Sequence, residues 1–249
     1  MKLRDFIDTG RSRYDAALSR LITCPRVELS HVGSGELPVM RARVNRGATR
    51  PVFVVGGIHG DEVGGVTGIL DLVCSQRFPD DLSVDFFPVL NPVGFIDGTR
   101  RKRGVDINRD ACADSPQSES KALIRAMRDD SPSVVVTMHE DASQDGFYMY
   151  YSDEGLKPLW DRMARIASDY FPLASGDVHG DDCLNGLIRH PSEDRVASAP
   201  KHLCSLENAA MGMGIHYVTT ETPASGYSLS RRTLANRRLL EALLSSLPR

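Results

Sequence analysis

The chain has 249 residues, of which 41% are apolar and 25% are charged, with a formal net charge of -3 and a pI of about 6.2. No linker interrupts the sequence, so we expect one globular domain over residues 1–249. The weakly acidic balance gives no basic field for nucleic acid or an anionic membrane, and we expect neither as a partner.

The N-terminus and the cysteines indicate where the protein works. Residues 1–18 mix charges with single apolar residues and lack the apolar core of a secretion signal. No apolar run approaches the roughly 20 residues that a membrane helix needs. The cysteines are odd in number, widely spaced and never paired as CxxC, which argues against a disulfide framework and a cysteine zinc site. We therefore expect a cytoplasmic protein with reduced thiols at Cys24, Cys74, Cys112, Cys183 and Cys204.

Short β-rich runs alternate with segments of helical period, which predicts an α/β sheet with helices on its faces. The predicted strands lie at residues 51–58, 84–90, 134–138, 147–151 and 215–220. Apolar residues at steps of three and four predict helices that begin near Asp61, cover 156–170 and include 240–247. The stretches 104–118 and 176–201 have the composition of long loops, which are often functional in a compact domain.

The first predicted strand runs into GGIHGDE, which sets His59 and Glu62 among glycines. Ligands of open α/β sheets bind beyond the carboxyl ends of strands, and a step of three can bring both side chains to one side. The glycines let the backbone bend, and we expect them to leave space for a substrate. Imidazole and carboxylate are zinc ligands, but an isolated HxxE is more often a local cap, so a site needs further ligands.

Two later strands end in side chains that complete such a site. His139 ends the run SVVVTMHE, and two histidines with one carboxylate leave an open position, as in catalytic zinc sites. Glu140 ranks below His139 as a ligand, because adjacent strand residues point to opposite faces. Glu221 lies at or just past the end of the last predicted strand, where a carboxylate can take a proton from an activated water.

A basic loop separates the second and third predicted strands. Its cluster Arg100, Arg101, Lys102 and Arg103 does not indicate nucleic acid in an acidic chain. Beside a metal site, such a loop favours recognition of a carboxylate, which the fork of an arginine binds through both oxygens. Further along the loop, Asn108 and Arg109 offer an amide and a guanidinium to one anion.

Taken in order, GGIHGDE, LNPVGF, GVDINRD, TMHED and TTETP resemble the motifs of the zinc carboxypeptidase family, including its branch of succinylglutamate desuccinylases and aspartoacylases. The resemblance covers about residues 51–226 and leaves the first 50 outside. It implies a three-layer α/β/α sandwich with a central mixed sheet, and one zinc ion as cofactor.

The resemblance also implies a role for each matching residue. His59, Glu62 and His139 hold zinc, and Glu221 activates the water. Asn108 and Arg109 hold the carboxylate of the substrate, and an arginine upstream of them stabilises the oxyanion.

Two departures from the family pattern affect this transfer of roles. The basic loop is about one residue shorter than the pattern, so we choose Arg100 as the oxyanion donor, with Arg101 and Arg103 as rivals. Digestive-type enzymes carry a tyrosine on a loop before the catalytic glutamate, whereas the tyrosine found here, Tyr217, belongs to a predicted strand. The role of that tyrosine is therefore unmatched.

These residues lead to a functional hypothesis with several alternatives. We expect a zinc metallopeptidase of carboxypeptidase type, which hydrolyses an amide bond next to a free carboxylate in a small peptide. The alternative is a deacylase of N-acyl amino acids, since both substrates present a carboxylate beside the amide. A metal-binding protein without turnover and an interaction domain that keeps only the sheet are the non-enzyme alternatives.

Two further features of the sequence have a bland and a functional interpretation. His179 with the acids of DVHGDD could bind a second metal, although a polar loop is the stronger interpretation. Arg189 could select an acidic side chain of the substrate, and a surface salt bridge explains it equally well.

Overall fold

The computed structural model of the protein describes residues 10–75, 78–111, 115, 117–190 and 204–248. Within these ranges the α-helices are α1 (Gly10–Ile22), α2 (Val63–Ser75), α3 (Pro92–Asp97), α4 (Ser118–Asp130), α5 (Lys157–Ser168), α6 (Leu206–Gly212) and α7 (Leu229–Ser246). The strands are β1 (Glu28–Val32), β2 (Val39–Val44), β3 (Arg50–Gly56), β4 (Leu82–Phe87), β5 (Val134–Asp141), β6 (Tyr148–Tyr151), β7 (Gly176–Val178), β8 (Asp181–Cys183), β9 (Leu187–Arg189) and β10 (His216–Pro223).

Eight strands form one sheet in the order β1-β2-β4-β3-β5-β10-β6-β9. Strand β3 runs parallel to β4 and β5, and β5 runs parallel to β10. The edges add antiparallel pairs, β1 with β2, β2 with β4, and β10 with β6. The sheet is therefore mixed, as predicted, and the parallel centre directs the carboxyl ends of β3, β5 and β10 to one edge.

Helices cover both faces of this sheet. Apolar residues of α1, α2, α5 and α7 share one buried core with one set of alternating strand side chains. Helices α4 and α6 share a second core with the opposite set, which includes Phe53, Val135 and Tyr217. The two cores make the molecule a three-layer α/β/α sandwich, which confirms the predicted fold class.

The predicted elements are found with shifted ends. Each of the five predicted strands corresponds to an observed one, and the helix expected near Asp61 begins at Val63. The C-terminal helix begins earlier than predicted because Ser228 caps it, its Oγ accepting a hydrogen bond of 3.3 Å from the amide of Arg231. No helix in the described ranges combines the length and apolar character that crossing a membrane requires.

The two predicted loops contain secondary structure, and the first 50 residues supply elements of the fold. The predicted loop 176–201 was wrong over 176–189, which holds β7, β8 and β9, each only three residues long and too short to show an alternating pattern. Its part 191–201 lies outside the described residues. The loop at 104–118 contains a short 3-10 helix at Ile107–Arg109. The first 50 residues, which the motif resemblance left out, supply α1, β1 and β2.

The prediction of reduced thiols was wrong for Cys24, Cys74 and Cys204 and is confirmed for Cys183. Cys24, just after α1, forms a disulfide with Cys74 in the last turn of α2, across a sequence separation of 50 residues. Cys204 is also disulfide-bonded, whereas Cys183 is a buried free thiol and Cys112 lies outside the described residues. The pairing of Cys24 depends on the packing of α1 against α2, which the spacing of the cysteines does not reveal.

Candidate metal centre

The turn after β3 brings His59 and Glu62 to the edge of the sheet. Gly57 has a φ of 57°, a left-handed conformation that glycine adopts without a steric penalty. A Cβ on Gly60 would lie 1.9 Å from the carbonyl carbon of Gly94, so this glycine lets α3 approach the turn. The expectation that the glycines leave space for substrate was therefore wrong at Gly60, where main chain fills the space.

Three side chains converge where the turn after β3 meets the last residues of β5. Nδ1 of His59 lies 2.6 Å from one oxygen of Glu62, and Nδ1 of His139 lies 2.8 Å from the other. The two Nδ1 atoms are 3.1 Å apart, and the three residues are between 2% and 4% exposed. In the described part of the chain, this trio is the one group of three or more His, Cys, Asp or Glu side chains that could hold a metal ion. The donor set of two imidazoles and one carboxylate fits zinc.

The charges of this trio are coupled. Burial opposes the charged form of His59, but the carboxylates of Glu62 and Asp106 raise its pKa to about 9. Burial also disfavours an ionised Glu62, yet His139 and His59 lower the pKa of that carboxyl below its ordinary value. Without a cation, the histidines thus hold protons that a metal would displace on binding.

A second carboxylate, that of Asp106, contacts the other ring nitrogen of His59. Oδ1 of Asp106 lies 3.3 Å from Nε2 of His59 and accepts a hydrogen bond of 3.0 Å from the amide of Asn108. Burial raises the pKa of Asp106, but His59 outweighs it and holds that pKa well below its usual range. Such an outer carboxylate fixes the tautomer and orientation of a metal-binding histidine. The sequence interpretation missed Asp106, although it belongs to the quoted motif GVDINRD.

Glu140 takes no part in the trio. Its side chain points to the opposite face of the sheet, where it accepts hydrogen bonds from Nη1 of Arg232 at 2.6 Å and from the amide of Gly64 at 2.9 Å. Its side chain is 1% exposed. Ranking Glu140 below His139 as a ligand agrees with this geometry.

Glu221 lies beside the trio on the neighbouring strand. It belongs to β10, two residues before the strand ends, and its Cα pairs with that of His139 on one side and Tyr148 on the other. Burial raises the pKa of Glu221 to about 8, and the carboxylates of Glu62 and Asp141 push in the same direction. A carboxyl group with such a pKa titrates near neutral pH, where a general base is most effective.

Of the basic loop, one arginine contacts the trio. Nη1 of Arg100 donates to an oxygen of Glu62 at 3.0 Å, and its side chain is 48% exposed. Arg103 pairs with Glu36 instead, while Arg101 is exposed. Lys102 reaches Glu119 at 2.8 Å. The ion pairs of the described residues thus separate Arg100 from its two rivals.

Asn108 is linked to the surroundings of the trio through Asp106 and Glu207, and its side-chain amide is already engaged. Its Nδ2 donates to Glu207 at 3.4 Å, its Oδ1 accepts from the amide of Leu206 at 3.0 Å, and the residue is 5% exposed. Arg109 is partly exposed and donates from Nη1 to the carbonyl of Asn108 at 2.9 Å. The guanidinium of Arg109 is therefore the more accessible half of the pair.

The motif DVHGDD forms the β7–β8 hairpin and brings no second metal cluster together among the described residues. Nε2 of His179 lies 2.8 Å from Oδ2 of Asp141, which also accepts from the hydroxyl of Tyr148 at 2.8 Å.

Tyr217 is 1% exposed within β10, so it does not take the place of the loop tyrosine. Arg189 forms a surface ion pair with Glu154 at 3.2 Å.

Comparisons with known proteins identify solved structures with a similar fold. No protein-family model matches the chain, and no curated protein matches it. A candidate metallopeptidase of Shewanella amazonensis SB2B superposes with a TM-score of 0.80 at 21% identity, over 95% of this chain and 93% of that one. A metallo-carboxypeptidase of Pseudomonas aeruginosa, solved in complex with (2-guanidinoethylmercapto)succinic acid, gives 0.69 at 18% identity, over 94% and 68%.

A third solved structure is the murein-tripeptide amidase MpaA of Escherichia coli O157, with a TM-score of 0.61 at 15% identity, over 90% of this chain and 94% of that one. At such identities the likeness concerns the fold. It agrees with the resemblance seen in the motifs, and the chain has the fold of the metallo-carboxypeptidases.

Proposed function

We propose that the protein is a zinc-dependent metallohydrolase of carboxypeptidase type, which hydrolyses an amide bond next to a free carboxylate. The observation that carries this proposal is the convergence of His59 Nδ1, the Glu62 carboxylate and His139 Nδ1 within 4.8 Å of one another. Names of structural neighbours, two metallopeptidases and an amidase among them, support hydrolysis of an amide bond.

His59, Glu62 and His139 would hold one zinc ion, because the donor types and their burial fit that metal. A zinc ion bound there would supply a Lewis acid for the amide carbonyl and would lower the pKa of a water to about 7. Asp106 fixes the orientation of His59 through its Nε2.

Glu221 is the proposed general base. Its pairing with His139 across β5 and β10 brings its carboxyl group beside the trio. Its proposed role is to take a proton from the attacking water and to deliver it to the leaving nitrogen.

Arg100 and Arg109 are proposed to act on the substrate. Arg100 is the oxyanion donor, because its guanidinium reaches the site at Glu62 and is partly exposed. Arg109 binds the free carboxylate next to the scissile bond. The side-chain amide of Asn108 is buried, and the main-chain carbonyl of Asn108 accepts a hydrogen bond from the guanidinium of Arg109. A carboxylate anchor of this kind holds the amide carbonyl in place for attack.

A small peptide is the proposed substrate, and an N-acyl amino acid is the second candidate. The amidase among the structural neighbours is named for a murein tripeptide, which favours the peptide. A protein that binds metal without turnover would not need a general base, so the carboxyl group of Glu221 beside His139 favours an enzyme. The cytoplasmic location stays a prediction, and it loses the support of its cysteines because Cys24 and Cys74 are bonded to each other.

The test is a substrate panel read by mass spectrometry with the zinc-loaded protein. The panel contains peptides with a free C-terminal carboxylate, the same peptides as C-terminal amides, and N-acyl amino acids. We expect release of C-terminal residues from the free-carboxylate peptides only. Cleavage of N-acyl amino acids alone would move the protein to the deacylase branch.

The variant Glu221→Gln tests the proposed base. We expect it to retain zinc and to lose roughly 10²- to 10⁴-fold in turnover, the usual contribution of a general base. Glu241→Gln, which changes a carboxylate paired with Arg237 on α7, is the matched control and should keep full turnover. Full activity of the Glu221 variant would remove this residue from the mechanism.

A further inference from the structure

Glu207 is a carboxylate that the ligand trio does not use. It lies in the first turn of α6, which Ser205 caps by accepting a hydrogen bond of 3.2 Å from the amide of Asn208. Its side chain is only 11% exposed. A charge in this position needs hydrogen-bond donors around it, since an isolated buried carboxylate is strongly destabilising.

Glu207 contacts the two strands that carry His139 and Glu221. Its Oε1 lies 3.2 Å from the hydroxyl of Thr137 and 3.2 Å from the hydroxyl of Thr219. These threonines are partners in the β5–β10 register, and each lies two residues before His139 or Glu221 on the same face.

The carboxylate of Glu207 is the acceptor for several hydrogen-bond donors. The hydroxyl oxygens of Thr137 and Thr219 are 2.7 Å apart, so one of them donates to the other. Because a hydroxyl carries a single proton, only one of the two can then donate to Glu207. The amide of Asn108 provides a second donor at the longer distance of 3.4 Å. The hydroxyl of Ser205 and the amide of Glu207 itself also donate to this carboxylate, so a proton from His139 would join an existing set of donors.

His139 has a buried ring nitrogen that lacks an acceptor. Its Nδ1 faces Glu62 at 2.8 Å and His59 at 3.1 Å, whereas its Nε2 is buried without a hydrogen-bond partner. A neutral imidazole that gives Nδ1 to a metal carries its proton on Nε2, and a buried N–H without an acceptor is unfavourable. Oε1 of Glu207 lies 3.9 Å from this Nε2, one small side-chain adjustment beyond hydrogen-bond distance.

We propose that Glu207 is a positioning residue of the metal centre, whose carboxylate accepts the Nε2 proton of His139 when zinc is bound. The same oxygen accepts a hydrogen bond from the side-chain amide of Asn108. Glu207 thereby connects His139 with the residue that precedes Arg109, the proposed carboxylate anchor. This inference rests on the proposed function, because it takes His139 as a zinc ligand. It gives His139 the partner that Asp106 provides for His59.

Glu207→Gln tests the proposal in the full chain. The isosteric amide retains an acceptor for Thr137, Thr219 and Asn108 but removes the charge. We expect zinc to bind roughly 10- to 100-fold more weakly in competition with a chromophoric chelator, the usual loss for an outer partner of a ligand. We also expect the Nε2–H resonance of His139 in the zinc-loaded protein to move, as read by long-range ¹H–¹⁵N NMR.

The matched control is Glu119→Gln. Glu119 is another buried glutamate of the same helical layer, on α4, but its partner is Lys102 at 2.8 Å. This variant should lose stability and keep both the zinc affinity and the His139 resonance of the unchanged chain. If Glu207→Gln does not fold, Glu207→Asp serves, since it keeps the charge but withdraws it from His139 and should move the same resonance.

The outcomes separate this proposal from the one on which it rests. Equal zinc affinity and an unchanged His139 resonance in Glu207→Gln would overturn the role of Glu207 alone. A folded, unmodified chain that binds no added zinc would overturn the metal centre itself and, with it, this role. Weaker zinc binding with a shifted resonance, absent in Glu119→Gln, would establish Glu207 as the partner of His139.

Discussion

The two faces of strand β5 carry buried carboxylates in opposite surroundings. On one face, Glu140 meets the guanidinium of Arg232 at 2.6 Å, a cation that the chain itself provides. On the other face, Glu62 meets the imidazoles of His59 and His139 at 2.6 and 2.8 Å. An arginine stays protonated at all ordinary pH, whereas a histidine gives up its proton near neutrality. The first arrangement stabilises the fold, and the second can exchange protons for a metal.

The strongest way to break this comparison is to remove the charge on the metal side. We expect Glu62→Gln to weaken zinc binding by more than about 100-fold, since loss of an outer partner alone costs 10- to 100-fold. Dialysis followed by metal analysis, and competition with a chelator, measure the effect. Zinc retained at one ion per chain with unchanged affinity would contradict the assignment of Glu62 as a ligand.

The matched substitution on the other face is Glu140→Gln. It leaves Arg232 buried without its anion, so we expect a loss of about 3–5 kcal/mol in the free energy of unfolding, as for other broken buried pairs. Zinc affinity should stay within a few-fold of the unmodified chain. Denaturant unfolding of the zinc-free protein reports the first effect and chelator competition reports the second.

The next contrast compares two arginines of the basic loop. Arg100→Ala should lower kcat by roughly 10²- to 10³-fold, the usual loss for an oxyanion donor. Arg103→Ala should change kcat less than about two-fold, because its pair with Glu36 lies on the surface, with the two side chains 66% and 55% exposed. Steady-state kinetics on a free-carboxylate peptide decides between them. A larger loss for Arg103→Ala would move the donor role to that residue.

Protons and zinc should compete for the site, which makes stability depend on pH in a defined direction. His59 has a folded-state pKa of about 9 against an ordinary 6.5, so its contribution is present below 6.5 and lost as the pH rises to 9. Glu221, with a pKa raised from 4.5 to about 8, loses its contribution between those values. The Tm of the zinc-free protein should therefore fall between about pH 6 and 9.

Zinc should reverse this trend, because it binds the deprotonated imidazoles. At a free zinc concentration a hundred times the Kd, the gain is about 2.7 kcal/mol, and the Kd itself should tighten as the pH rises. Thermal melts with and without zinc across this pH range measure the difference. A zinc-dependent shift that shrinks with rising pH would contradict the assignment of the histidines.

The ligands were predictable from the sequence because each follows an apolar run that becomes a central strand. His59 follows β3 by three residues and His139 lies near the carboxyl end of β5, and parallel neighbours bring such ends together. The face of Glu140 followed from the alternation of strand side chains. These inferences needed only local pattern and the order of the strands.

What the sequence could not reveal depends on how distant segments pack. Glu207 comes within 3.9 Å of His139 because α6 packs against the face formed by β5 and β10. The sequence SLEN around Glu207 matches none of the quoted motifs. The disulfide of Cys24 requires α1 to lie against α2. The three-residue strands β7, β8 and β9 are likewise too short to carry a period of their own.

The smallest expected effect concerns Arg189, for which the sequence left a functional and a bland interpretation. Its ion pair with Glu154 spans 3.2 Å, and the two side chains are 70% and 43% exposed, so solvent screens the attraction. Arg189→Ala should change the free energy of unfolding by less than about 0.5 kcal/mol. It should also leave unchanged the ratio of kcat/KM for peptides ending in an acidic and a neutral residue. A selective loss on the acidic peptide would make Arg189 a specificity residue and extend the site from the metal-bearing edge of the sheet to its β9 border.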